Sequence, residues 1–216
     1  MAGALEAGKP RPIAGLYALT PDLSDTGRLT ECVAAALDGG AATIQYRSKT
    51  AAPALRLKQA LALRALCDRR GAILIVNDDI DLAHAVGARG VHLGRGDAAI
   101  AVARSRLGPT ALVGASCYDS LARAEAAVAE GADYIALGSY FPSTTKPAAA
   151  RAQLPLLTAA KRQWSVPVVA IGGITPDNAG ALIEAGADAV AVISALFDAA
   201  DIAAAARSFV ALFNKR

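Results

Sequence analysis

Several short polar stretches in this chain carry side chains that can hold charge. In IQYRSKT, Gln45, Arg47 and Lys49 alternate and so face one side of an extended chain. An amide, a planar guanidinium fork and a mobile ammonium together suit several phosphate oxygens of one ligand; the competing reading is a solvated strand exit with ordinary surface charges. VNDDID and HLGRGD set Asp78 and Asp97 at equivalent points after two apolar runs. Two carboxylates there can share a divalent cation that also holds phosphate, as magnesium does with one or two protein carboxylates. Asp79 and Asp81 are read as helix N-caps, and Asp97 keeps that alternative. Asn77 offers an amide to a substrate heteroatom or to a loop. His92 lies inside an apolar run and is read as a satisfied or supporting histidine, not as a general base.

Further along, GASCYDS ends a run at Ser116, a donor to phosphate, while Ser120 or Asp119 caps the next helix. Cys117 has no nearby histidine to activate it as a nucleophile. AIGGITPDN combines a Gly-Gly pair, Thr175 as N-cap and Pro176 at the first helical position, which exposes backbone N–H groups to an anion. Gly173 with Ile193 and Ser194 of AVISALF forms the expected main-chain phosphate site. GSYFPSTTKP holds the hydroxyls of Ser143, Thr144 and Thr145 and the charge of Lys146 between Pro142 and Pro147. The inventory amounts to two anion sites: one cationic and metal-assisted, one built from backbone amides. Two phosphorylated small-molecule substrates, one a diphosphate, would account for both.

These residues need a scaffold that brings distant segments to one place. Eight β-type runs alternate with amphipathic Ala/Leu/Arg-rich segments: 15–20, 42–47, 72–78, 90–94, 111–116, 133–138, 167–173 and 189–195. Gly-Ala-x-x-apolar recurs at Gly40, Gly87, Gly131 and Gly186, where a left-handed glycine ends a helix before the next strand. Strands this apolar suit a parallel sheet covered on both faces. Eight of them in this length predict an α/β fold of the closed (β/α)8 TIM-barrel type, a single domain over 13–216 after a loose N-terminal tail, 1–12. A doubly wound open sheet is the alternative, but the first βα turn lacks its glycine-rich fingerprint. In a barrel every polar stretch above falls at the C-terminal end of a strand, on one rim.

Composition agrees with a single large domain: 216 residues, 54% of them hydrophobic, formal charge +3. No apolar run reaches the roughly 20 residues of a spanning helix, so no membrane partner is expected. Basic residues are scattered without interleaved aromatics, which argues against nucleic acid. Cys32, Cys67 and Cys117 are widely spaced, and with His84 and His92 they form no zinc pattern; free thiols suit a reducing, cytoplasmic setting. The first residues show no leader pattern. The oligomeric state is left open.

Taken in order, QYRSK, VNDD, GVHLGRGD, GAS, GADYIALGSYFPSTTK, VAIGGI and AVISA resemble the thiamine phosphate synthase family, from about Gly15 to Leu212. The resemblance implies coupling of a hydroxymethylpyrimidine diphosphate to a hydroxyethylthiazole phosphate, with magnesium, to give thiamine phosphate and diphosphate. It assigns Gln45, Arg47, Lys49, Asn77, Ser116 and Lys146 to the pyrimidine diphosphate, with Lys146, Arg47, Lys49 and Ser116 serving catalysis. Asp78 and Asp97 would bind magnesium. Ser143, Thr144, Thr145, Gly173, Ile193 and Ser194 would hold the thiazole phosphate. The chain departs from the family at Tyr118, where histidine is common, at Arg95, where glutamine is common, and at Ser139, Tyr140 and Ser143. A related thiazole tautomerase would need an acid–base residue, and a catalytically idle phosphate-binding barrel would not need the full cation and carboxylate set.

Overall fold

A computed structural model describes residues 13–94, 99–142 and 151–214. The segment 1–12 and the site expectations at Arg95, Asp97, Ser143, Thr144, Thr145 and Lys146 lie outside the described residues. The strands are β1 (Gly15–Leu19), β2 (Thr43–Tyr46), β3 (Ile73–Asn77), β4 (Gly90–Leu93), β5 (Leu112–Tyr118), β6 (Tyr134–Gly138), β7 (Val168–Ile171) and β8 (Ala189–Val192). Each pairs in parallel with the next and β8 closes onto β1, giving the expected eight-stranded barrel. Around it lie α1 (Thr26–Asp38), α2 (Pro53–Arg70), α3 (Ile80–Ala85), α4 (Ile100–Leu107), α5 (Leu121–Ala129), α6 (Leu154–Gln163), α7 (Pro176–Glu184), the short α8 (Ser194–Phe197) and α9 (Ile202–Phe213).

Three strand ends differ from the sequence reading by two or more residues. The seventh run ends at Ile171, since Gly172 and Gly173 both turn to positive φ. The eighth ends at Val192, and Ile193 is the N-cap of α8. The fifth runs on to Tyr118 through a register shift between Ser116 and Tyr118.

Strand alternation sorts the apolar residues into two cores. Leu16, Ile44, Leu74, Val91, Val113, Ile135, Val168 and Val190 point outward and pack with the helices. Tyr17, Ile73, Ile75, Leu112, Tyr134, Val169, Ala189 and Ala191 fill the barrel interior. Gly114 sits where a Cβ would run into the Tyr134 ring, so a glycine there makes room for that side chain.

The four Gly-Ala junctions are one device. Gly40, Gly87, Gly131 and Gly186 all have positive φ. Each donates its N–H three residues back, and the following alanine donates five residues back: Ala41 to Ala36, Ala88 to Ala83, Ala132 to Ala127 and Ala187 to Leu182. This is the Schellman cap. A fifth copy, missed in the sequence reading, occurs at Gly71, with Ala72 donating to the Cys67 carbonyl at 2.9 Å.

At the opposite end from the polar loops, the aspartate after two of these junctions closes the strand starts. The Asp133 carboxylate accepts from the Val113 N–H at 2.7 Å and from Arg104 of α4 at 2.6 Å. Asp188 repeats this with the Val168 N–H at 2.7 Å and Lys161 of α6 at 2.9 Å. Carboxylates committed to backbone donors and cations at the N-terminal ends of strands serve the scaffold, which leaves the opposite rim for chemistry.

Candidate active site

The end of β2 supplies the first ligands. Gln45 points into the barrel and is 3% exposed; its Nε2 donates to the Tyr17 hydroxyl at 2.8 Å. Arg47 is half-buried and Lys49 exposed. The strand stops at Tyr46, so the strict alternation predicted over 45, 47 and 49 does not continue as ladder. Two residues that the sequence reading passed over shape the exit instead. Thr20, buried, receives the Arg47 N–H on its Oγ1 at 2.9 Å and returns its hydroxyl to the Arg47 carbonyl at 3.2 Å. Asp22 accepts from Ser48 Oγ at 2.8 Å, from the Lys49 N–H at 3.0 Å and from Thr50 Oγ1 at 3.1 Å. Desolvation alone would raise the Asp22 carboxyl, but the Ser48, Lys49 and Thr50 donors and the nearby Arg47 charge outweigh it and hold it below the usual carboxylate range.

Asn77 and Asp78 follow β3. Asp78 has φ 62°, a left-handed conformation uncommon outside glycine, and its N–H donates to the His92 carbonyl at 2.8 Å. Asn77 Nδ2 donates to Asp78 Oδ2 at 2.5 Å. The turn therefore lifts an exposed carboxylate at the rim and fixes one of its oxygens, a hard oxygen donor of the kind magnesium takes. Asp79 is the N-cap of α3, accepting from the Leu82 N–H at 2.8 Å, as expected. Asp81 is not a cap: it lies in the first turn of α3 and pairs with Arg106 at 3.2 Å. Only one residue can cap, and Asp79 precedes the first helical residue.

At β5, Ser116 is partly exposed and its Oγ lies 2.9 Å from His92 Nε2. His92 is 7% exposed, and its Nδ1 is 3.2 Å from the Tyr134 hydroxyl. It is thus the supporting histidine the sequence suggested. Cys117 faces the outer core, where burial pushes its thiol up to about 12, so it stays protonated and is no nucleophile. Ser120 caps α5, accepting from the Arg123 N–H. Tyr118, in place of the family's histidine, has φ 55° and lies under the Arg123 guanidinium, 5.5 Å from the ring centre.

The far side of the rim is built by β6, β7 and β8. The Tyr140 N–H donates to the Ile171 carbonyl at 3.2 Å and the Phe141 N–H to the Gly172 carbonyl at 3.0 Å. A Cβ on Gly172 would strike Ser139, and one on Gly173 would strike the Pro142 carbonyl. The start of GSYFPSTTKP is therefore seated on the Gly-Gly pair. Asn178 takes the Thr175 N–H on Oδ1 at 2.9 Å and donates to the Gly173 carbonyl at 3.1 Å. One amide expected to be open at the start of α7 is thus already used, and the expected anion site narrows to Gly173, Ile193 and Ser194. The register of Ile171 opposite Ala191 brings Gly173 and Ile193 to neighbouring strand ends. Ser194 opens α8, whose first N–H groups have no partner within the helix.

Comparisons with known proteins agree with the barrel fold. A family model described as thiamine monophosphate synthase matches residues 16–196. The chain is 58% identical over 199 residues to the thiamine-phosphate synthase of Thiobacillus denitrificans, covering 92% of this chain and 94% of that protein. It is 54% identical over 207 residues to the thiamine-phosphate synthase of Chromobacterium violaceum, covering 96% and 100%. Among solved structures, thiamine phosphate pyrophosphorylase from Pyrococcus furiosus superposes with a TM-score of 0.83 at 37% identity, covering 94% of this chain and 96% of that one. With its barrel closed and its polar rim assembled from the ends of β2, β3, β5, β7 and β8, this chain belongs to the thiamine monophosphate synthase family.

Proposed function

We propose that this enzyme couples 4-amino-2-methyl-5-hydroxymethylpyrimidine diphosphate to 4-methyl-5-(2-hydroxyethyl)thiazole phosphate, releasing thiamine phosphate and diphosphate. The observation that carries the reading is that residues in and just after β2, β3 and β5, namely Gln45, Arg47, Lys49, Asn77, Asp78 and Ser116, share one barrel rim with the Gly173, Ile193 and Ser194 backbone after β7 and β8. The bond between the pyrimidine methylene and the diphosphate oxygen breaks, and its electron pair leaves with diphosphate. The thiazole nitrogen then donates its lone pair to the methylene cation, forming the C–N bond. Neither step needs a strong base; both need charge neutralisation and placement. Arg47, Lys49 and Lys146 neutralise the departing diphosphate, Ser116 donates to it, and Gln45 and Asn77 orient the pyrimidine diphosphate. Ser143, Thr144 and Thr145, with Gly173, Ile193 and Ser194, hold the thiazole phosphate. Asp78 and Asp97 would hold magnesium, which when bound would supply positive charge to the diphosphate.

The test is incubation of the purified protein with both substrates, with and without magnesium, followed by assay of thiamine phosphate and diphosphate. Product that depends on magnesium is expected; no product under either condition overturns the reading. Lys146→Ala and Asp78→Ala should each lower turnover by about a hundredfold or more, and Asp81→Ala, whose partner is a surface arginine, by less than about twofold. Equal losses in all three would refute the site assignment.

A further inference from the structure

The barrel interior contains a continuous polar line inside an otherwise apolar core. Gln45 Nε2 donates to the Tyr17 hydroxyl at 2.8 Å. The Tyr17 and Tyr134 hydroxyls lie 2.9 Å apart. The Tyr134 hydroxyl reaches His92 Nδ1 at 3.2 Å, and His92 Nε2 reaches Ser116 Oγ at 2.9 Å. The line crosses from the second strand through the first, sixth and fourth to the fifth, linking one expected ligand of the pyrimidine diphosphate to another.

The chemistry of each group gives the line a direction. An amide nitrogen only donates, so the Tyr17 oxygen accepts from Gln45. Among the described residues Tyr134 is the remaining partner of the Tyr17 hydroxyl, so satisfying the single Tyr17 proton sends it to the Tyr134 oxygen. The single Tyr134 proton in turn goes to His92 Nδ1, which must be unprotonated to receive it. A neutral imidazole with an accepting Nδ1 carries its proton on Nε2, and that proton goes to Ser116 Oγ. Ser116, having accepted, keeps its own proton to give away at the partly exposed rim. Burial raises both phenols above their ordinary values, which keeps each a donor. The stacking of the His92 and Tyr134 rings, with centroids 5.6 Å apart, and the space Gly114 leaves for Tyr134 hold the order in place.

We infer that His92, Tyr134 and Tyr17 are positioning residues that fix the polarity of Ser116, holding it as an obligate hydrogen-bond donor to an acceptor atom of the diphosphate substrate. Ser116 is then never a base or a nucleophile, and His92 stays in the Nε2–H tautomer. The substrate named here rests on the function proposed above; the tautomer does not.

The experiment uses the wild-type protein labelled with 15N-histidine. His84 and His92 are the two histidines of the chain, and a His84→Gln variant, at an exposed helix position, assigns them. The expected spectrum shows a proton on Nε2 of His92 and a bare Nδ1; a proton on Nδ1 overturns the inference. Tyr134→Phe should shift the Nδ1 resonance and lower kcat by about tenfold, with KM for the diphosphate substrate changed by less than about threefold. Tyr17→Phe, one step further away, should lower kcat by less. His92→Gln, which keeps a donor for Ser116, should recover most of the turnover lost in His92→Leu. Equal losses in Tyr17→Phe, His92→Gln and His92→Leu would overturn the inference in favour of simple core damage. If the wild type makes no product, the proposed reaction fails while the tautomer still decides the polarity.

Discussion

Asp22 shows how much of the proposed phosphate-binding loop after β2 is decided by a residue outside that loop. Its carboxylate gathers Ser48, the Lys49 amide and Thr50, so the two proposed cations after β2 hang from a turn held by a partner on the preceding loop. Asp22→Asn keeps the shape and loses the charge. We expect KM for the diphosphate substrate to rise by about three- to tenfold, with kcat changed less, measured by steady-state kinetics. The pH dependence has a definite sign. The folded carboxyl lies below its unfolded value, so its contribution is complete above about pH 4 and is lost as pH falls through the folded value. Substrate binding by the wild type should weaken in that window, and Asp22→Asn should lack this component. The rim positions of Gln45, Asn77, Asp78 and Ser116 were legible in the sequence because they sit at the ends of recognisable runs. Asp22 and Thr20 were not, because their partners are more than twenty residues away and local spacing says nothing of them.

At the scale of elements, the same local devices serve two ends of the barrel differently. The Asp133 and Asp188 clamps each satisfy a strand-start N–H and a cation on the face remote from the proposed chemistry. Asp133→Ala and Asp188→Ala should each cost about 1–3 kcal/mol by denaturant unfolding, and leave kcat within about twofold. Their effects should add, since the two clamps share no partner. Glycine substitutions separate the ends further. Gly87 has φ 61° with open space where an alanine methyl would point, so Gly87→Ala should cost about 1–2 kcal/mol and spare activity. Gly173→Ala would collide with the carbonyls of Phe141 and Pro142, and should lower kcat/KM by about tenfold or more as the β6 loop is displaced. The repeated Gly-Ala pattern made the helix ends readable from sequence. The ends of β7 and β8 were not, because the strand-like run continues past the last paired residue, and that of β5 was not, because the strand continues through a register shift that no local pattern marks.

For the whole molecule, the closed barrel follows from apolar runs covered on both faces, and the two cores it creates are unequal. The outer one is an apolar shell in which a truncation such as Leu63→Ala should cost about 2–5 kcal/mol in a thermal or denaturant melt. The inner one carries rings and a polar line whose pairings no one-dimensional pattern reveals: His92 was readable as a supporting group, but its link through Tyr134 to Tyr17 depends on which strands face each other. The seating of Ser139 to Pro142 on Gly172 and Gly173 carries a different kind of consequence. If the diphosphate is met by the loop that begins there and the second phosphate by the glycine beneath it, the two ligands share a mechanical part, and thermodynamics makes their influence on each other mutual. Whatever factor the first ligand changes the affinity of the second, the second must change that of the first by the same factor. Titration calorimetry run in both orders of addition, with a non-reacting diphosphate analogue, should return one coupling constant; Gly173→Ala should move it toward unity.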